Sequence, residues 1–85
     1  MDRATEIYAR EFDSVFFKLP PQVREAIEKK IQQLGSRLAD YPHQRLTGRS
    51  EYRLRVGDYR VIYDFDREKN IIYLIAVGNR RQIYR

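Results

Sequence analysis

The chain has 85 residues, no cysteine and a formal net charge of +5. That length fits one domain over residues 1–85, near the lower end of what a hydrophobic core supports without metal or disulfide. The lack of cysteine excludes disulfides, thiolate zinc sites and thiol catalysis and suits a cytoplasmic location, while the lack of any long apolar run reads against a signal peptide or membrane span.

Thr5–Ala9 reads as a short first strand. From Glu11 the apolar residues Phe12, Val15, Phe16 and Leu19 recur at helical spacing, and Pro20-Pro21 closes that helix and opens the next. Val23, Ile27, Ile31, Leu34 and Leu38 mark the apolar stripe of a longer helix, with Glu25 and Lys29 as an outward i, i+4 pair. Gly35 within this run weakens its last turn by roughly 1 kcal/mol relative to Ala. Ala39 to Ser50 contains Pro42 and Gly48 without an apolar period and is expected to be a surface loop, in which His43 serves a surface or capping role.

Glu51 to Tyr63 reads as a tight β-hairpin. Gly57-Asp58 supplies a two-residue loop suited to a type II′ turn, so Val56 faces Tyr59, Arg55 faces Arg60, Leu54 faces Val61, Arg53 faces Ile62 and Tyr52 faces Tyr63. Arg53, Arg55 and Arg60 then share one face, and Tyr52, Leu54, Val56, Tyr59, Val61 and Tyr63 the other. Directly opposed residues stand roughly 5 Å apart at Cβ, where like charges destabilise the pair, and Arg53 lies about 7–8 Å from Arg60 on the diagonal. Three solvated arginines splayed on an exposed sheet would be ordinary, but a hairpin built only for stability would more readily place Glu or Thr opposite Arg55. An anion between the guanidiniums resolves the conflict.

An acid-rich turn around Asp66 to Asn70 leads to a central strand, Ile71 to Val77, apolar on both faces and broken by Gly78-Asn79. In the tail Arg80 to Arg85, alternation sets Arg80, Gln82 and Tyr84 against Ile83, which anchors it. The order βααβββ gives an α+β fold, a helical hairpin packed on a mostly antiparallel twisted sheet.

Charge is divided along the chain. Residues 1–44 hold seven basic and seven acidic side chains, whereas residues 45–85 hold ten basic against five acidic. An arginine-rich excess points to a polyanion, because the planar guanidinium matches phosphate oxygens in pairs. No basic amphipathic helix accompanies it, which reads against a membrane surface.

Tyr52-Arg-Leu-Arg-Val-Gly-Asp-Tyr-Arg-Val-Ile-Tyr63, followed by Ala76-Val-Gly-Asn-Arg-Arg-Gln-Ile-Tyr84, resembles the RelE branch of the RelE/ParE toxin superfamily, as does the two-helix front half with Leu19-Pro20 at its bend. The resemblance spans nearly the whole chain. It implies a type II toxin that cleaves messenger RNA in the ribosomal A site and is silenced by a cognate antitoxin. It also implies that Arg53 and Arg55, Arg60, Arg80 and Tyr84 are the working residues; Arg45, Arg49 and Arg81, in the same basic half of the chain, are expected to be further RNA contacts. Well-known members carry lysines at the positions of Arg53 and Arg55, one of them a proposed general base. Arginine holds a phosphate but makes a poor base, so the base assignment is open.

RNA is cut without metal or cofactor when its 2′-hydroxyl attacks the adjacent phosphate. That chemistry needs a base, a stabiliser of developing charge and an acid. The arginines fit the second task. Tyr84, with a free pKa of about 10 that guanidiniums would lower, is the best remaining titrating group, or else stacks on a base. A gyrase inhibitor of the ParE kind and a non-catalytic RNA-binding domain are the alternatives.

Overall fold

The computed structural model describes residues 3–79. Within them run β1 (Thr5–Tyr8), α1 (Arg10–Phe16), α2 (Pro21–Ser36), β2 (Gln44–Arg45), β3 (Tyr52–Val56), β4 (Tyr59–Asp66) and β5 (Ile71–Asn79). They form an α+β fold whose five-stranded sheet has the order β1-β5-β4-β3-β2. The β2–β3, β3–β4 and β4–β5 pairs are antiparallel, while β1 lies parallel to β5.

Both helices cover one face of this sheet. Phe12 and Phe16 of α1 and Ile27, Ile31 and Leu34 of α2 are buried with Leu54, Val61, Tyr63, Ile72 and Leu74 of the strands in one core. Glu11 and Asp13 occupy the first turn of α1, where acidic side chains meet the positive end of the helix dipole. α1 is one turn shorter than its apolar spacing predicts, because Leu19 N–H donates to the Phe16 carbonyl in a closing turn. Pro21 starts α2, where its missing N–H costs no helical hydrogen bond.

The last turn of α2 is held by close packing. Gly35 is buried and its carbonyl accepts from Ala4 N–H at 3.0 Å. A Cβ at Gly35 would stand 3.2 Å from Arg3 Cγ and 3.5 Å from Ile72 Cδ1, so the missing side chain lets the start of the chain approach the helix. Leu38, beyond the helix, is buried as well.

Two expectations need correction. The segment 39–50 is not only a surface loop: Gln44 and Arg45 add a fifth strand at the sheet edge, and Leu46 is buried. Gly78-Asn79 does not break the last strand, because β4 supplies partners for both, Arg60 opposite Gly78 and Tyr59 opposite Asn79. A register shift between Ile62 and Tyr63 takes up the extra residue Ile75.

Candidate functional site

The hairpin adopts the expected register at all five pairs, with Arg55 opposite Arg60 and Arg53 opposite Ile62. Gly57 has φ +59°, the left-handed conformation that the first loop position requires. Leu54 and Val56 are buried against the helices, which sets Arg53 and Arg55 on the opposite, open face, both exposed. Arg60 differs from them. Only 9% of its surface is accessible, and its face neighbour Ile62 is 5% exposed. The arginine face is therefore graded, two solvated guanidiniums beside one largely removed from water, where its field on a neighbouring anion is least screened.

β2 completes the arrangement around Arg53. Gln44 lies opposite Arg53, and its Oε1 accepts from Arg53 Nε at 3.3 Å. Sequence reasoning missed this contact, since a two-residue strand carries no detectable alternation.

The neighbouring His43 holds that edge to the fold. Its Nε2 lies 2.8 Å from the Leu38 carbonyl and its Nδ1 2.6 Å from the Tyr63 hydroxyl. A carbonyl only accepts, so Nε2 carries the hydrogen and Nδ1 of the neutral ring accepts from the phenol. Burial pushes the Tyr63 phenol well above its ordinary pKa, and the nearby Tyr41 and Tyr52 add to this, so it remains a donor. The imidazole also stacks on Phe65, with centroids 4.0 Å apart and planes 19° apart. His43 is thus half-buried on the helix side of the sheet, bridging loop and strand, and does not share the face of the three arginines.

Arg45 is not brought to that face either, and Arg49 reaches only its edge, at Glu51. Arg45 lies opposite Tyr52, donates to its hydroxyl at 2.7 Å and sits over its ring at 5.1 Å. Arg49 pairs with Glu51 at 3.0 Å. Arg80, Arg81 and Tyr84 lie outside the described residues. A cleft of about 740 Å³ at the end of α2, lined by Ser36, Arg37, Leu38, Asp40, Arg67 and Asn70 among others, shares no residue with the arginine face. Among the described residues no three His, Cys, Asp or Glu side chains gather as metal ligands, and no helix is long and apolar enough to cross a membrane.

Residues 1–84 match the family described as the ParE toxin of the type II toxin–antitoxin system parDE. The chain belongs to that toxin family. Solved structures of RelE toxins share its fold. The toxin–antitoxin complex RelBE2 from Mycobacterium tuberculosis contains a chain 23% identical, covering 94% of each chain with a TM-score of 0.77. The intact RelBE complex of E. coli gives 25% identity over 89% of this toxin and 95% of that chain, with a TM-score of 0.74. The archaeal RelE–RelB complex from Pyrococcus horikoshii gives 20% identity over 95% and 99%, with a TM-score of 0.76. Comparison with curated protein sequences gives no match.

Proposed function

We propose that this toxin is a ribosome-dependent endoribonuclease that cleaves messenger RNA by attack of a 2′-hydroxyl on the adjacent phosphate, leaving a 2′,3′-cyclic phosphate and a free 5′-hydroxyl. The observation that carries the reading is the arginine face itself, with Arg55 directly opposite Arg60 and Arg60 largely buried. Fixed guanidiniums around a phosphorane-like transition state supply the electrostatic contribution that is commonly the largest in catalysis. Arg53, Arg55 and Arg60 form this wall. The family resemblance adds Arg80 and Tyr84, which lie outside the described residues, to the reacting groups, and Arg45, Arg49 and Arg81 are further RNA contacts in this reading. No metal enters the scheme.

A site made of phosphate clamps cuts free RNA slowly, and the ribosome supplies alignment of the RNA backbone worth several kcal/mol. The partner in the resting state is a cognate antitoxin, as in the RelBE and RelE–RelB complexes, with acidic residues that meet the basic face. The test compares cleavage of a message on programmed ribosomes with cleavage of the same RNA free in solution. Faster cutting on the ribosome supports the reading, and equal rates on both remove its ribosome dependence. Arg60→Ala and Arg80→Ala should each abolish cleavage while the fold persists.

One observation favours a second reading. The matching family is described by the ParE toxin, whose branch inhibits DNA gyrase without cutting RNA. A supercoiling assay separates the two: gyrase inhibition without RNA products would replace the ribonuclease, and binding to translating ribosomes with neither effect would leave an RNA-binding domain.

A further inference from the structure

The arginine face contains a carboxylate at its other end. Leu46 N–H donates to the Glu51 carbonyl at 2.9 Å, which carries the β2–β3 ladder one residue past Tyr52. By the same register on the β4 side, Glu51 stands across from Asp64, since Tyr52 faces Tyr63. Arg53, opposite Ile62, then has two diagonal neighbours on β4, Arg60 on one side and Asp64 on the other, each about 7–8 Å away. The face reads in three rows: Arg55 with Arg60, then Gln44, Arg53, Ile62 and Ala76, then Glu51, Asp64 and Tyr73.

Asp64 is uncommitted in a way its neighbours are not. Its Oδ1 accepts from Phe65 N–H at 2.8 Å, and it forms no salt bridge among the described residues. Arg53 turns its Nε to Gln44, and Glu51 is held by Arg49. Of the remaining proton acceptors of the hairpin and its edge, Asp58 is in the hairpin loop, while His43, Tyr52, Tyr59 and Tyr63 belong to the helix side. The groups facing Asp64 are Glu51, Arg53, Asp66 and Tyr73, with Arg45 close enough to feel its charge.

We propose that Asp64 is the general base of RNA cleavage, an assignment that rests on the ribonuclease reading above. A phosphate held by the exposed Arg53 sets the adjoining ribose toward Asp64, one diagonal step away on β4. The free carboxylate oxygen takes the proton of the 2′-hydroxyl, and the 2′ oxygen forms its bond to phosphorus. The P–O5′ bond breaks, and the 5′ oxygen leaves with the electron pair and takes a proton from water. A carboxylate accepts a proton where a guanidinium only donates, so the pairing supplies what an all-arginine site lacks.

The experiment uses the full-length toxin, freed from its antitoxin, on ribosomes programmed with a message, in single-turnover cleavage. Asp64→Asn should slow cutting by about 10²–10⁴, keep ribosome binding and the thermal midpoint, and lose the fall in rate toward acid pH. Asp64→Glu should recover part of the rate. A message with sulfur replacing the bridging 5′ oxygen, which leaves without needing a proton, should not rescue Asp64→Asn. Cleavage by Asp64→Asn at near wild-type rate, an unchanged acid limb, or rescue by sulfur would overturn the assignment and leave the ribonuclease reading standing. A wild-type toxin that cuts no message overturns that reading, and this assignment with it.

Discussion

The two faces of the sheet are written into alternate residues of the same strands, yet they obey different rules. On the helix side Leu54, Val61, Tyr63 and Leu74 are buried in a continuous core, and the polar groups there are matched, Tyr63 with His43 and His43 with Leu38. On the open side Arg55 faces Arg60, two like charges directly opposed, an arrangement that by itself disfavours the pair. The contrast teaches where to look for function in a small toxin. Side chains of the core fill one face, and three arginines in a pattern suited to an anion stand on the other.

Substitutions can break or sharpen this division. The largest effect is expected on the helix side. Leu74→Ala, at a fully buried position, should lower the unfolding free energy by about 2–5 kcal/mol, measured by urea denaturation, with cleavage retained below the melting temperature. Next comes Arg60→Ala, which should abolish cleavage on programmed ribosomes, a fall of at least about 10²–10³-fold, with a far smaller change in stability. If Arg60→Ala unfolds the chain instead, the two faces are not separable at that residue.

His43→Ala removes the acceptor of the buried Tyr63 hydroxyl and should cost about 1–3 kcal/mol, read from the same denaturation curves. The raised pKa of Tyr63 sets an alkaline limit. The folded state keeps the phenol protonated while the unfolded chain ionises near pH 10, so this contribution is complete below about pH 10 and declines above it, by up to about 1.4 kcal/mol per pH unit. Tyr63→Phe should flatten that decline. The smallest effect has the opposite sign. Arg55→Thr relieves the repulsion with Arg60 and should stabilise the hairpin by about 0.2–1 kcal/mol while impairing cleavage, and a destabilised Arg55→Thr would contradict the view of the open face as a strained one.

Much of the hairpin was legible beforehand. Gly57-Asp58 and the alternation around it predict all five cross-strand pairs, and the paired prolines predict the helix junction. The same arithmetic extended by one residue reaches Asp64, the proposed base, which sequence reasoning left out of the site. Gln44 is a different case. Its strand is two residues long, and its contact with Arg53 depends on a loop folding back nine residues along the chain. His43 was equally opaque, because its partners Leu38 and Tyr63 flank it at distances no local pattern encodes.

The sequence by itself determined the register of the central hairpin and the clustering of three arginines on one face, because a two-residue loop and the period of a strand are local constraints. Only the tertiary structure decided that Arg60 is withdrawn from water while Arg53 and Arg55 are not, that β1 runs parallel to β5, and that a short edge strand meets Arg53. Burial and edge pairing arise where segments distant along the chain come together, and no local pattern records them.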